Sequence, residues 1–520
     1  MALFIKISML VVFFGVMTGV GIYCSKHSTD VNGFVLGSRS VGPWLTAFAY
    51  GTSYFSAVVF VGYAGQFGWK YGIASTWIGI ANALLGSLLA WAVLGRRTRV
   101  MTQHLSSATM PQFFEKRFSS KRLKTASALI IFVFLIPYTA SLYNGLSRLF
   151  GMAFNIDYGV CVFVMAALTA VYVIVGGYMA TAINDFIQGI IMLIGIAAVV
   201  LAVLKQQGGF TQALASLANV QDADVSDTPG IFASFFGPDP LNLLGVMILT
   251  SMGTWGLPQM VQKFYAIKSE KSISKGMIIS TLFAAVVAGG CYFLGGFGRL
   301  FSDRVDIAKD GYDAIIPQML SDLNPFLIAL VVILVLSASM STLSSLVMTS
   351  SSTLTLDVIK VNIKKNMSQK QQLSCMRIFI AVFVIISALI AIYQYNTGLA
   401  FIAQMMGVSW GALAGAFLAP FLYGLYWKRT TKWGCIASFA FSSVVMVANI
   451  FFKAYFPQIL ASPINAGAFC MLCGMIIVPA VSLITKAPDK KSVDDIFACY
   501  ERRVTVTAKS SIGENEGERI

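Results

Sequence analysis

Along this chain, long apolar runs alternate with short polar stretches. A helix needs about 20 apolar residues to cross a bilayer. By that measure thirteen runs qualify, near 3–24, 44–66, 71–95, 125–153, 158–176, 183–204, 240–266, 274–301, 324–356, 376–394, 398–427, 433–453 and 463–485. Runs of this length predict an all-α polytopic membrane protein of about 13 transmembrane helices. Two runs are interrupted by poor helix formers. The second passes through Tyr50-Gly51-Thr52-Ser53-Tyr54-Phe55-Ser56, and the seventh through Gly253-Thr254-Trp255-Gly256-Leu257-Pro258-Gln259. Each reads as an unwound break, tolerated at membrane depth only where it lines a cavity. For the second run the alternative is a continuous helix whose glycine packs on a neighbour. Each break opens a block of five runs, 44–206 and 240–427. Five is odd, so the blocks enter the membrane from opposite sides, the geometry of an inverted repeat with a binding site at its centre. The implied organisation is a leading helix and cytoplasmic loop (1–43), a core (44–427), two trailing helices (428–486) and a polar, aperiodic, flexible cytoplasmic tail (487–520).

The ninth run carries an unusual polar load. From Ser337 to Asp357 it reads SASMSTLSSLVMTSSSTLTLD, with Ser or Thr at 12 of the first 19 positions. On a helix, Ala338, Ser341, Thr342, Ser345, Thr349 and Ser352 share one face. A lone hydroxyl in a membrane helix commonly bonds its own i−4 carbonyl or a neighbouring helix. A whole stripe of neutral oxygens suits a hard cation such as sodium.

Composition agrees with the pattern. With 57% hydrophobic and 11% charged residues, the chain lies outside the soluble globular range. A net charge of +15 suggests nucleic acid in a soluble protein, but here 29 of the 37 Lys and Arg fall in alternate loops. The positive-inside rule then puts the N-terminus outside, the C-terminus in the cytoplasm and the protein in the cell membrane, with no nucleic-acid partner. Loop charge at 263–275, Lys263 included, belongs to that inside set. The eight cysteines, Cys470-x-x-Cys473 among them, are scattered through apolar runs and imply neither zinc nor a disulfide framework.

Between the fifth and sixth runs lies GGYMATAINDFIQG, 176–189. Its Asp185 is the one carboxylate that clearly belongs to an apolar run, and no basic residue is assigned to the membrane portion of any run to neutralise it. A bound cation is the natural partner. The competing account is that Asp185 stays hydrated near the cytoplasmic face.

These stretches resemble the sodium:solute symporter family over roughly 1–485. The most specific match is Gly176-Gly177 with Asp185, Gln188 and Gly189. Phe34-Val-Leu-Gly-Ser-Arg, the Ser56-Ala57…Gly62…Tyr71-Gly72 pattern and the Ser/Thr stretch ending at Asp357 add to it. The resemblance implies a LeuT-like fold of five plus five inverted spans, spans two to eleven being the core. It implies a conserved sodium site of the carbonyls of Thr52, Phe55 and Ala338 with the hydroxyls of Ser341 and Thr342. As in some members, it also implies a second sodium site at Asp185, Ser341, Ser344 and Ser345. The nearest look is to the pantothenate and proline branch, with some likeness to the monocarboxylate branch. Tyr54 stands where proline transporters carry an acid, and Pro137-Tyr138 where sialic-acid members carry an arginine. Candidate solute contacts are Ser53, Ser56, Thr254, Trp255, Pro258 and Gln404.

The expected function is therefore sodium-coupled import of a small polar, carboxylate-bearing solute by alternating access, with sodium as the only metal and no cofactor. The alternatives are a sugar symporter, a sodium channel and a transport-dead sensor. A channel favours rings of charge or carbonyls from repeated subunits, which asymmetric breaks do not supply. An enzyme needs a nucleophile or metal constellation, and His27 and His104, the only histidines, lie in loops. One sodium per cycle, at 100 mV and a tenfold gradient, sustains roughly 500-fold accumulation.

Overall fold

The computed structural model describes residues 2–24, 30–154, 156–397 and 402–501. Residues 25–29 of the first loop, 398–401 of the eleventh run and 502–520 of the tail lie outside the described residues. What is described is almost wholly helical, and its β pairing is limited to two isolated bridges, Val41 with Ile267 and Asp222 with Ser226.

Among the described residues eleven helices are long and apolar enough to cross a membrane. The difference from thirteen has local causes. The second run is cut: helix Pro43–Thr52 has 10 residues, too few to span, and helical backbone resumes at Val58. From there it passes Gly72 (φ 59°, ψ −141°) into the third run, so that 58–104 counts once. The fifth and sixth runs make one helical stretch of 49 residues, Tyr158–Gln206. Unbroken, it would be about 73 Å long, more than twice the thickness of a bilayer's hydrocarbon core. Gly177, at φ 61° and ψ −164°, divides it. A side chain there would meet the steric penalty of the left-handed region, which glycine escapes.

The ninth run, helix Pro325–Thr353 continuing to Ile363, sits at the centre of the bundle. Every residue from Val331 to Asp357 is buried. It packs on Lys121–Phe154 and Tyr158–Gln206, and the first helix, Ala2–Cys24, packs on it and on Tyr158–Gln206. The helices Ile402–Tyr426, Lys432–Phe451 and Pro463–Ile484 form a second packed group joined to Lys121–Phe154. Elsewhere backbones meet with no side chain between them. A Cβ built on Gly68 would lie 1.9 Å from the Gly295 carbonyl oxygen, one on Gly295 2.0 Å from that of Ala64, and one on Gly79 2.7 Å from the Gly289 Cα. Helices 64–71 and 76–81 thus lie directly on Lys271–Gly295.

The end of the molecule richest in Lys and Arg is tied by backbone acceptors. Arg39 donates to the carbonyls of Tyr265 (3.0 Å), Thr102 (3.3 Å) and Ser107 (2.5 Å), while Arg99 donates to those of Ile267 (2.5 Å) and Lys268 (3.4 Å). Burial, with Arg99 nearby, lowers the Arg39 guanidinium to about 10, so it stays charged at neutral pH. Buried Asp357 accepts from Thr109 (2.6 Å) and Gln112 (3.0 Å) and lies 3.7 Å from the Lys124 ammonium. Part of the segment expected to be a flexible tail is ordered. Lys490–Phe497 is a helix that buries Val493, Ile496 and Phe497. Asp494 pairs with Lys428 at 2.7 Å, and the Arg97 guanidinium is held between the rings of Tyr426 (4.1 Å) and Tyr500 (4.6 Å).

Candidate functional site

The site is built where the interrupted second run crosses the serine-rich helix. Because the helix stops at Thr52, the Thr52 carbonyl has no backbone donor among the described residues. Hydroxyls from the ninth run supply replacements. Ser341 Oγ and Thr342 Oγ1 both donate to the Thr52 carbonyl, at 3.1 and 3.0 Å, and both reach the Ala338 carbonyl at 3.0 Å. Four of the five residues expected at the conserved sodium site thus come together as two carbonyls and two hydroxyls, all uncharged. Phe55 is buried in the same break, and among the described residues its carbonyl makes no hydrogen bond to this pair.

The hydroxyls of the ninth run separate into two kinds. Ser341, Thr342, Ser345 and Thr349 reach across to other helices, the last two to Ser53 (2.7 Å) and Gln262 (3.0 Å). Ser344, Ser351, Ser352 and Thr353 bond carbonyls three or four residues back on their own helix. For these the plain account of membrane hydroxyls holds.

Asp185 differs from the sequence expectation in its partner. It is fully buried, and a basic residue does share its surroundings: the Lys263 ammonium, 3.9 Å from Oδ2, with 4% of its side chain exposed. Lys263 was counted among the loop charges. Instead it lies on Pro258–Ala266, the buried half-helix that follows the second break. Its ammonium donates to Ser345 Oγ at 3.0 Å and stands 5.2 Å from the centre of the Tyr178 ring. Of the four residues expected at a second sodium site, Asp185 and Ser345 meet through Lys263. The hydroxyls of Ser341 and Ser344 are directed at backbone carbonyls.

The expected solute contacts divide as well. Thr254 Oγ1 bonds the Gly86 carbonyl (3.0 Å) and Trp255 Nε1 the Leu85 carbonyl (3.0 Å), so both polar atoms are engaged by the third run. Ser53 Oγ bonds Ala49 and Ser345. Ser56 Oγ accepts from the Val58 amide at 3.2 Å, Pro258 opens the resumed half-helix, and Gln404 is half-buried.

Sequence reasoning missed a set of aromatic donors. Among the described residues the hydroxyls of Tyr54, Tyr63, Tyr138 and Tyr292, the Trp410 indole N–H and the Gln259 amide are buried without a hydrogen-bond partner. The Trp410 ring lies 5.3 Å from Tyr54 and 5.9 Å from Tyr138. An unpaired buried hydroxyl costs about 1–3 kcal/mol, so several gathered beside a helix break point to a polar ligand. The available signal was the phenol itself, since a tyrosine deep in an apolar run needs a partner for its O–H.

Comparison with known proteins follows this geometry. The family model described as sodium:solute symporter family matches residues 34–441. The osmoregulated proline transporter OpuE of Bacillus subtilis (strain 168) is 28% identical over 491 residues, 92% of this chain and 95% of that one. A sodium/proline symporter of Staphylococcus aureus (strain JH9) is 29% identical over 452 residues, 85% of each chain. Among solved structures, the substrate-bound outward-open state of a Na+-coupled sialic acid symporter superposes with a TM-score of 0.74 at 16% identity, covering 93% of this chain and 98% of that one. Mhp1, a nucleobase-cation-symport-1 family transporter in a closed conformation, gives 0.51 at 13% identity, over 89% and 98%. At these identities the structural likeness shows the fold alone, and that fold is LeuT-like.

Proposed function

The chain belongs to the sodium:solute symporter family; it is a sodium-coupled symporter of a small solute and not an enzyme, and from that premise we propose that it imports a small carboxylate-bearing solute of about proline's size by alternating access. The observation that carries the reading is the convergence of the Ser341 and Thr342 hydroxyls on the Thr52 carbonyl across a broken helix. Neutral oxygens in a dry setting favour a hard monovalent cation. Sodium is the coupling ion, held by the Thr52 and Ala338 carbonyls and these two hydroxyls with the Phe55 carbonyl completing the set, and no cofactor takes part.

The solute sits beside the ion, between Tyr54, Tyr138, Trp410 and Ser56. Phenol and indole donors suit a carboxylate, and the break from which the half-helix at Pro258 leads off packs on Trp410, a Cβ built on Gly253 lying 2.9 Å from its ring. Two relatives named as proline carriers support this solute class. The Arg39 and Arg99 hydrogen bonds hold the basic end closed, and their release opens the path to the cytoplasm, with the N-terminus outside.

The test is uptake into proteoliposomes of radiolabelled L-proline, a short monocarboxylate, pantothenate and a hexose under an inward sodium gradient. Uptake of one of the carboxylates that collapses when choline replaces sodium is the expected result. Sodium-driven uptake of the hexose with none of the carboxylates overturns the solute class, and uptake indifferent to sodium overturns the coupling.

A further inference from the structure

Neither carboxylate oxygen of Asp185 accepts a hydrogen bond from the described residues, so its charge is balanced by the Lys263 ammonium alone among them. Lys263 cannot leave for water without moving its half-helix, since it is only 3% exposed. The ammonium occupies a cation's place: a carboxylate at 3.9 Å, a hydroxyl at 3.0 Å and an aromatic face at 5.2 Å. A sodium ion bound to Asp185 and Ser345 would stand within about 4 Å of it. Two like charges at that separation disfavour each other by on the order of 1,000-fold in a partly buried setting.

We propose that Lys263 is a tethered cation that fills, permanently, the place of a second sodium ion, so that this chain couples its solute to one sodium rather than two. The ammonium also carries the charge onward. Through Ser345 it reaches Ser53 Oγ (2.7 Å) at the edge of the break where the first ion binds. The Asp185 end of the site is therefore neutral before any ion arrives. The attainable accumulation is that of a single ion, roughly 500-fold under the gradient given above, where a second ion would square it. This deepens the symport reading and rests on it only for the first ion.

The test counts ions on purified full-length protein by equilibrium binding of radioactive sodium alone, with no solute added. Wild type is expected to bind one sodium. Lys263→Gln, which removes the charge and shortens the side chain by one atom, should bind two, Lys263→Arg one, and Asp185→Asn with Lys263→Gln one. Two ions on wild type, or an unchanged count in Lys263→Gln, overturns the inference. No sodium on wild type with one on Lys263→Gln upholds it while removing the first ion from the Thr52 site. If Lys263→Gln is not recovered folded, wild type and Lys263→Arg decide: two ions on either overturns the inference, and one on each upholds it.

Discussion

The Thr342→Ala substitution tests the placement of the ion most directly, because it removes one neutral oxygen and alters no charge. In the structure Thr342 Oγ1 lies 3.0 Å from both the Thr52 and the Ala338 carbonyl, and Ser341 Oγ reaches the same two at 3.1 and 3.0 Å. Deleting one hydroxyl leaves the Ser341 O–H for the Thr52 carbonyl, while the Ala338 carbonyl keeps the backbone N–H of its own helix, and fold stability should fall only by the worth of an ordinary hydrogen bond, about 0.5–1.5 kcal/mol. The ion loses a ligand that nothing replaces. Leaving a desolvated charge short of one such interaction costs about 1–3 kcal/mol, a roughly 5- to 150-fold weaker sodium affinity. By linkage, solute affinity at low fixed sodium should fall and should recover when sodium is raised. The assay is solute uptake against sodium concentration in proteoliposomes, with sodium-dependent thermal stabilisation as a second readout. Thr342→Ser should stay within a few-fold of wild type. Thr353→Ala is the control, since among the described residues Thr353 Oγ1 bonds only its own helix, at 2.8 Å to Thr349 and 3.1 Å to Ser350. Normal sodium dependence in Thr342→Ala, or equal damage in Thr353→Ala, refutes the placement.

Other outcomes follow from the same geometry. Tyr138→Phe and Tyr54→Phe should each raise KM for the solute by about 5- to 150-fold with little change in melting temperature, because neither hydroxyl is hydrogen-bonded among the described residues; unchanged KM in both would remove them from the solute cavity. Asp357→Ala strips Thr109 and Gln112 of their acceptor, while Lys124 keeps Glu115 at 2.8 Å, and should destabilise by about 1–3 kcal/mol, so a melting temperature equal to wild type contradicts its holding role. Tyr500→Ala opens one side of the Arg97 sandwich, worth about 0.5–1 kcal/mol, and should expose the chain near 490 to limited proteolysis; an unchanged digestion rate argues against docking of that helix.

What the sequence revealed was set by local chemistry, and what it hid depended on tertiary placement. The breaks at 53–57 and 253–257 were legible because Gly, Ser, Thr and Pro in succession are poor helix formers wherever they occur. The stripe on the ninth run was legible from helical spacing, although burial on all sides means that position on the stripe alone did not decide which hydroxyls reach a neighbour. Lys263 was misplaced because a window of apolar residues ends there, and nothing in a window shows that the half-helix continues into the bundle. The unpartnered tyrosines passed as apolar filling, since rings at helical spacing look like core. The helix at Lys490–Phe497 is short and lies among charges, so its buried Val493, Ile496 and Phe497 give too little periodicity to stand out.

The seam of glycines at Gly68, Gly79, Gly289 and Gly295 sets what is able to move. Side chains that interdigitate across an interface can exchange rotamers and re-engage one notch along. Two backbones in direct contact have no such teeth. The unit formed by 64–81 and Lys271–Gly295 must travel as a single strut, and any rocking that exposes the ion to one side and then the other has to be taken up at its ends. On one side that means residues 53–56, next to the Thr52 carbonyl, and on the other the turn that joins Ala266 to Lys271, which follows the half-helix bearing the Lys263 ammonium. One hinge then adjoins the Thr52 carbonyl, so an ion that settles there would also stiffen the joint on which the strut swings.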